Sequence, residues 1–130
     1  MVSSRPLEAQ NAAGSYANIH GIVVDGEEPV HKFLSDLGEP DLGAFLARFD
    51  KLSEPGVLTR IPWQQMGQWF KKLKHVNSIW QVSAPTHRLL GFRWGNTLVL
   101  TNGFYKTGGE TPKRQIKLAE KLQSQFNTGH

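Results

Sequence analysis

Basic and aromatic side chains are interspersed along the second half of the chain, and such a mixture can bind nucleic acid. Cations neutralise phosphates, and aromatic rings stack on unpaired bases. The sequence therefore favours single-stranded RNA as a ligand, with a solvated lysine run and an aromatic core as the alternative interpretation. The residues that we expect to bind RNA are Lys71, Lys72, Lys74, Arg93, Tyr105, Lys113 and Arg114.

Residues of these types could also cleave RNA without a metal ion. The 2′-hydroxyl attacks the neighbouring phosphate, fixed cations stabilise the developing charge, and another group transfers the protons. Arg88 interrupts an otherwise apolar strand face, where a half-buried guanidinium needs an anion. A structural salt bridge to the helices of the first half is the alternative. His87 and Tyr105 are the groups near the strands that could transfer a proton.

The composition excludes several other classes of protein. The chain has 130 residues, which suits one domain, and no cysteine, which excludes disulfides and thiolate zinc sites. Its histidines lack metal-ligand spacing, and no phosphate-binding glycine loop or nucleophile motif occurs. We therefore expect no metal and no cofactor. The longest apolar runs are too short to cross a membrane, so we expect no membrane partner.

The charge is divided unevenly between the two halves of the chain. Residues 1–65 carry five basic and nine acidic residues, a net charge of −4, whereas residues 66–130 carry ten basic and two acidic residues, a net charge of +8. Such a contrast indicates a polyanion on one side of the molecule, or else only a solubilising surface.

The elements of the first half are predicted to be a tail, a strand and two helices. Residues 1–18 are polar and aperiodic, typical of a flexible N-terminal tail, and His20–Asp25 form a short strand. Apolar stripes predict helices over Val30–Leu37 and Leu42–Leu52, joined closely enough to form an antiparallel helical hairpin. The outer face of the hairpin would hold Asp36, Glu39, Asp41 and Asp50.

The second half switches to the two-residue period of strands. Gly95-Asn96 predicts a tight hairpin turn that places Phe92 opposite Val99 and Arg88 opposite Gly103. Thr111 is expected to cap the last helix, with Pro112 at its first position. The predicted fold is α+β, an N-terminal helical hairpin packed on a mostly antiparallel β-sheet with a C-terminal helix. The predicted strands are Trp69–Lys74, Ser78–Ser83, His87–Trp94 and Thr97–Lys106.

The C-terminal run Leu98–Glu120 resembles the closing signature of the RelE/ParE toxin superfamily, and most of all its HigB-like, phage-related branch. The likeness extends from His20 to Phe126, and residues 19–127 would form a single toxin domain. Arg88 fits the arginine that opens the family's penultimate strand. The positions that match the closing motif are Gly103, Phe104, Lys106, Thr111, Pro112, Ile116, Ala119 and Glu120.

The resemblance implies the toxin of a type II toxin–antitoxin pair, acting in the cytoplasm. Such toxins cleave mRNA on the ribosome, and a cognate antitoxin, commonly a helix-turn-helix protein, masks them. By position, Arg88 would hold the scissile phosphate and Lys106 would be the second basic group. His87 would supply proton transfer, and Lys71, Lys72 and Lys74 would follow the RNA path.

Two alternatives to an active ribonuclease stay open. Gln81 and Ser83 stand where relatives carry charged residues, which favours a non-catalytic member that binds RNA or an antitoxin. A gyrase-inhibiting toxin of the ParE type is the other alternative, against which the HigB-like terminal motif argues.

Overall fold

The chain folds into one six-stranded mixed β-sheet with helices on both faces. A computed structural model describes residues 1–8, 15–74, 76 and 78–130. The elements in chain order are β1 (Val2–Glu8), β2 (Ser15–Val24), α1 (Pro29–Asp36), α2 (Asp41–Leu52), β3 (Phe70–Lys72), β4 (Ile79–Ser83), β5 (His87–Trp94), β6 (Thr97–Tyr105) and α3 (Lys113–Thr128).

The strand order across the sheet is β1-β2-β6-β5-β4-β3. Strands β2 and β6 are parallel, with Ile19 beside Leu98, and the other four neighbouring pairs are antiparallel. Because parallel neighbours need a crossover connection, the helices α1 and α2 and the strands β3–β5 all lie between β2 and β6 in the chain.

The predicted N-terminal helical hairpin on a mostly antiparallel sheet is wrong. Two strands precede the helices, and residues 2–8 of the expected tail form the edge strand β1. Residues 9–14 of that tail lie outside the described residues. Only Leu7 of β1 is buried, so the segment has the polar composition of a tail although its backbone pairs with β2. Helix α1 packs on β2 and β6, and α2 packs on β2 and β4, so each helix covers the sheet directly.

Two apolar cores lie on opposite faces of the sheet. Under α1 and α2, Phe45 and Phe49 are fully buried against strand residues such as Leu89. Under α3, Phe126 packs on Phe92 with the ring centroids 5.3 Å apart. Within the described ranges, no helix is both long and apolar enough to span a membrane.

A bulge in the β5–β6 hairpin shifts the strand register. The Gly95-Asn96 turn pairs Phe92 with Val99, which confirms that prediction, but the register changes between Leu90 and Gly91. Arg88 therefore faces Phe104, and the predicted pairing with Gly103 is wrong.

Two glycines accommodate close approaches around this bulge. A Cβ atom on Gly91 would lie 2.6 Å from the Val99 carbonyl oxygen, so the bulge excludes a side chain there. Gly103 makes room for helix α1 and not for Arg88, because a Cβ atom on Gly103 would lie 2.6 Å from the Phe33 ring.

Candidate nucleic-acid interface

An open cleft of about 460 Å³ lies on the face of the sheet that carries α3. Its floor is formed by Gln81, Arg88 and Phe104, which come from the adjacent strands β4, β5 and β6. Strand β3 and the residues after it form one wall, and the loop of residues 106–112 forms the other. The cleft is thus built from segments that are far apart in the sequence.

Five of the predicted site residues line this cleft, and all five are cations. Among the described residues that line it, Glu110 is the one carboxylate. None of the five cations forms an ion pair with another described residue. Unpaired cations in a concave site focus a positive potential that attracts anions. The five are Lys71, Lys72, Lys74, Arg88 and Lys106.

Arg88 is held at the floor of the cleft by backbone groups. Its Nη1 atom donates hydrogen bonds to the carbonyl oxygens of Ala84 and His87. Burial lowers the pKa of the Arg88 guanidinium, the carboxylate of Asp41 opposes that shift, and the charge of Arg48 adds to it. The salt bridge to the helices, which was the alternative interpretation of Arg88, is not among the described ion pairs. The guanidinium is therefore partly desolvated, and an anion bound in the cleft would compensate for that.

A hydrogen bond ties the wall loop to the floor. The Thr111 hydroxyl donates to Gln81 Oε1 at 2.5 Å, and the Gln81 side chain is buried. Gln81 Nε2 in turn lies 3.4 Å from the Ser83 hydroxyl. The prediction that Thr111 caps the last helix is wrong, because α3 starts at Lys113 with Pro112 before it and without a side-chain cap. Thr111 instead fixes the loop against β4.

His87 and Tyr105 lie apart from the cleft. Consecutive strand residues point to opposite faces, so His87 faces α1 and α2 when Arg88 faces the cleft. The ring of His87 meets the ring of Tyr105 edge-on at 5.3 Å, and that of Phe33 at 5.7 Å. Tyr105 is 60% exposed. The structure therefore does not bring the predicted proton-transfer groups to the cations.

Asp41 is buried beneath His87 and not exposed on an outer helical face, so that expectation is wrong for this residue. Its Oδ2 atom accepts hydrogen bonds from the Thr86 backbone N–H and hydroxyl, both at 2.9 Å, and lies 2.7 Å from His87 Nδ1. Burial alone would raise the pKa of Asp41, but the hydrogen bonds from His87 and Thr86 outweigh it and lower the pKa. The sequence carries no signal for this role, since acidic residues in the first turn of a helix are ordinarily exposed.

The remaining predicted RNA-binding residues lie outside the cleft. Arg93 is exposed at the far end of β5, where its Nη1 atom lies 3.4 Å from the Gly95 carbonyl oxygen. Lys113 and Arg114 are exposed on the first turn of α3, next to the wall loop. Glu110, Gln65 and Gln68 also line the cleft, although no sequence pattern predicted them. The Gly108-Gly109 pair is the sequence feature that indicates a loop over residues 106–112.

No group of three His, Asp or Glu side chains in the described ranges has the arrangement of a metal site. Comparison of the chain with protein-family models gives no match, and comparison with curated protein sequences gives none either.

Proposed function

We propose that the cleft binds the phosphates of single-stranded RNA, and that the protein is a ribosome-dependent, metal-independent mRNA endoribonuclease. In this proposal it is the toxin of a type II toxin–antitoxin pair, and its partners are the ribosome, mRNA and a cognate antitoxin. The observation that carries the proposal is that five cations, brought from three segments of the chain, converge on one concave site.

The composition of the cleft supports RNA as the anion. Its cations line a groove rather than a single point, as a repeating phosphate backbone requires. Phe104 is partly buried in the floor and offers an aromatic surface. Aromatic surfaces and cations together are typical of sites for unpaired nucleotides.

The proposed cleavage uses the 2′-hydroxyl of the RNA as nucleophile. Its oxygen forms a bond to the adjacent phosphorus while the bond from phosphorus to the 5′-oxygen breaks, leaving a 2′,3′-cyclic phosphate and a 5′-hydroxyl. Arg88 and Lys106 would stabilise the negative charge of the transition state. Glu110 is the lining group that can accept the proton of the 2′-hydroxyl, and a lysine ammonium can donate one to the leaving oxygen.

The binding step is tested by removing charge inside and outside the cleft. The variant Lys71→Gln/Lys72→Gln removes two lining cations. The matched control, Lys117→Gln/Lys121→Gln, removes two exposed cations of α3 that do not line the cleft. We expect only the cleft variant to weaken binding of a labelled single-stranded oligoribonucleotide in fluorescence anisotropy. The slope of the logarithm of the binding constant against the logarithm of the salt concentration should also become less steep, by about 0.7 for each lost phosphate contact. If the two variants weaken oligoribonucleotide binding equally, the cleft is not the binding site.

The cleavage step is tested on purified ribosomes programmed with a reporter mRNA. We expect the wild-type protein to cut the mRNA, and Arg88→Ala to lose cleavage and the growth arrest caused by expression without a partner. Primer extension locates the cuts. An Arg88→Ala variant that cuts at the wild-type rate would contradict the role assigned to that residue.

A second candidate is a non-catalytic RNA-binding relative of these toxins. The positions of His87 and Tyr105 outside the cleft favour it, since the described residues that line the site then include no histidine or tyrosine. Tight ribosome binding by the wild-type protein with intact reporter mRNA would select this function.

A further inference from the structure

We propose that Asp41, on the opposite face of the sheet, is the residue that positions Arg88 and Lys106 in the cleft. It would act through the turn of residues 84–87, which connects β4 to β5. The consequence for RNA rests on the proposed function, whereas the positioning itself rests on contacts alone.

Asp41 fixes the middle of this turn. Its carboxylate accepts both the backbone N–H and the hydroxyl of Thr86, each at 2.9 Å, and the neighbouring His87 lies 2.7 Å away. Asp41 is only 3% exposed, so water does not compete for these bonds. A buried carboxylate with three donors is a strong anchor, because breaking the contacts would leave its charge unsolvated.

The same turn holds both of the cations assigned to the transition state. The Ala84 and His87 carbonyl oxygens accept hydrogen bonds from the Arg88 guanidinium, and the Ala84 N–H closes the turn onto the His87 carbonyl at 3.0 Å. The Thr86 carbonyl oxygen accepts the backbone N–H of Lys106 at 2.8 Å. Thr86 therefore joins Asp41 on one side of the sheet to Lys106 on the other.

Arg88 needs such support because burial and a neighbouring cation both disfavour the charged form of its guanidinium. The guanidinium is partly buried, and Arg48 is close enough to repel it, while no carboxylate reaches it within ion-pair distance among the described residues. Two carbonyl acceptors hold it in place, and both belong to the turn. If the turn loosens, the side chain loses these acceptors and moves towards solvent.

Modification by phenylglyoxal, which reacts with arginine side chains, measures this effect without RNA. In Asp41→Asn we expect Arg88 to react several-fold faster than in the wild-type protein, with Arg93 and Arg114 unchanged as internal controls in the same digest. Asp36→Asn is the matched control variant, because Asp36 is an exposed carboxylate that pairs with Lys32 on α1. Thr86→Val removes the hydroxyl contacts to Asp41 and to His87 Nδ1 and keeps the bond from the Thr86 N–H to Asp41. This variant is the test if Asp41→Asn does not fold.

An unchanged Arg88 reaction rate in the folded variants would overturn the positioning role. A rise shared equally by Arg88, Arg93 and Arg114 would also overturn it, since general destabilisation affects all three.

Oligoribonucleotide affinity then tests the consequence for binding. Residues that act through one contact network give non-additive effects, whereas independent sites add. We expect Asp41→Asn combined with Arg88→Ala to weaken binding by less than the sum of the two single effects, and Asp41→Asn combined with Lys71→Gln to be additive. Full additivity with Arg88→Ala would contradict the coupling. Absence of RNA binding by the wild-type protein would refute the proposed function and leave the phenylglyoxal result standing.

Discussion

The two faces of the sheet differ in the charged groups that they carry. Under α1 and α2, Phe45 and Phe49 are fully buried, and among the described residues one carboxylate, that of Asp41, is buried and has three donors. On the face that carries α3, apolar packing gives way to a cleft whose cations have no ion-pair partners among the described residues. Both faces therefore have an apolar core, but one buries a carboxylate together with its donors and the other leaves cations available for a ligand.

The same contrast appears between the two halves of the chain. In the acidic first half, Arg5, Lys32 and Lys51 each form an ion pair with a nearby glutamate or aspartate. The basic second half contains only two acidic residues, and the five cations that line the cleft form no ion pair with a described residue. These five are half of the ten basic residues in residues 66–130.

The largest expected effect is the loss of protein stability when a side chain of the core under α1 and α2 is truncated. Phe49 is 0% exposed, and Phe49→Ala should lower the free energy of unfolding by about 3–5 kcal/mol, since the cavity is enclosed by other buried side chains. Urea denaturation measures the loss. Leu118→Ala on the exposed side of α3 is the control and should change the stability by less than about 0.5 kcal/mol. Similar losses in the two variants would mean that the core under α1 and α2 contributes no more to stability than the exposed side of α3.

The next effect is the pH dependence of the free energy of unfolding that Asp41 causes. Because the pKa of Asp41 is lowered by folding, its contribution is complete above the ordinary carboxyl pKa of about 3.9 and is lost as the pH falls through the lowered value. We expect Asp41→Asn to cost about 1–3 kcal/mol near neutral pH and progressively less in acid. Unfolding measured over a pH series, with Asp36→Asn as the control, tests the prediction. A difference between wild type and Asp41→Asn that does not change with pH would contradict it.

The smallest effect is expected at the cleft. Thr111→Val removes the hydroxyl that donates to the buried Gln81 oxygen, which should cost about 0.5–1.5 kcal/mol of stability. Because the loop of residues 106–112 then loses its tie to β4, RNA affinity should fall as well, whereas Thr128→Val at the end of α3 should leave it unchanged. Wild-type affinity in Thr111→Val would show that the loop does not need this bond to shape the cleft.

The local elements were largely predictable from sequence patterns. The strand over His87–Trp94, the Gly95-Asn96 turn and the two helices of the first half follow from periodicity and turn chemistry, and the structure confirms them within a few residues. Strand β1 was missed, because an edge strand with one buried side chain has the composition of a tail. The bulge at Gly91 was missed too, since register depends on contacts between strands.

The sequence by itself determined which side chains are cationic and that Arg88 and His87 face opposite sides of their strand, because alternation is a property of the extended backbone. Only the tertiary structure decided which cations meet. Lys71, Arg88 and Lys106 lie on β3, β5 and the end of β6, and their convergence depends on the strand order and on the wall loop. The role of Asp41 was likewise decided by packing, because its partners lie more than forty residues away in the chain.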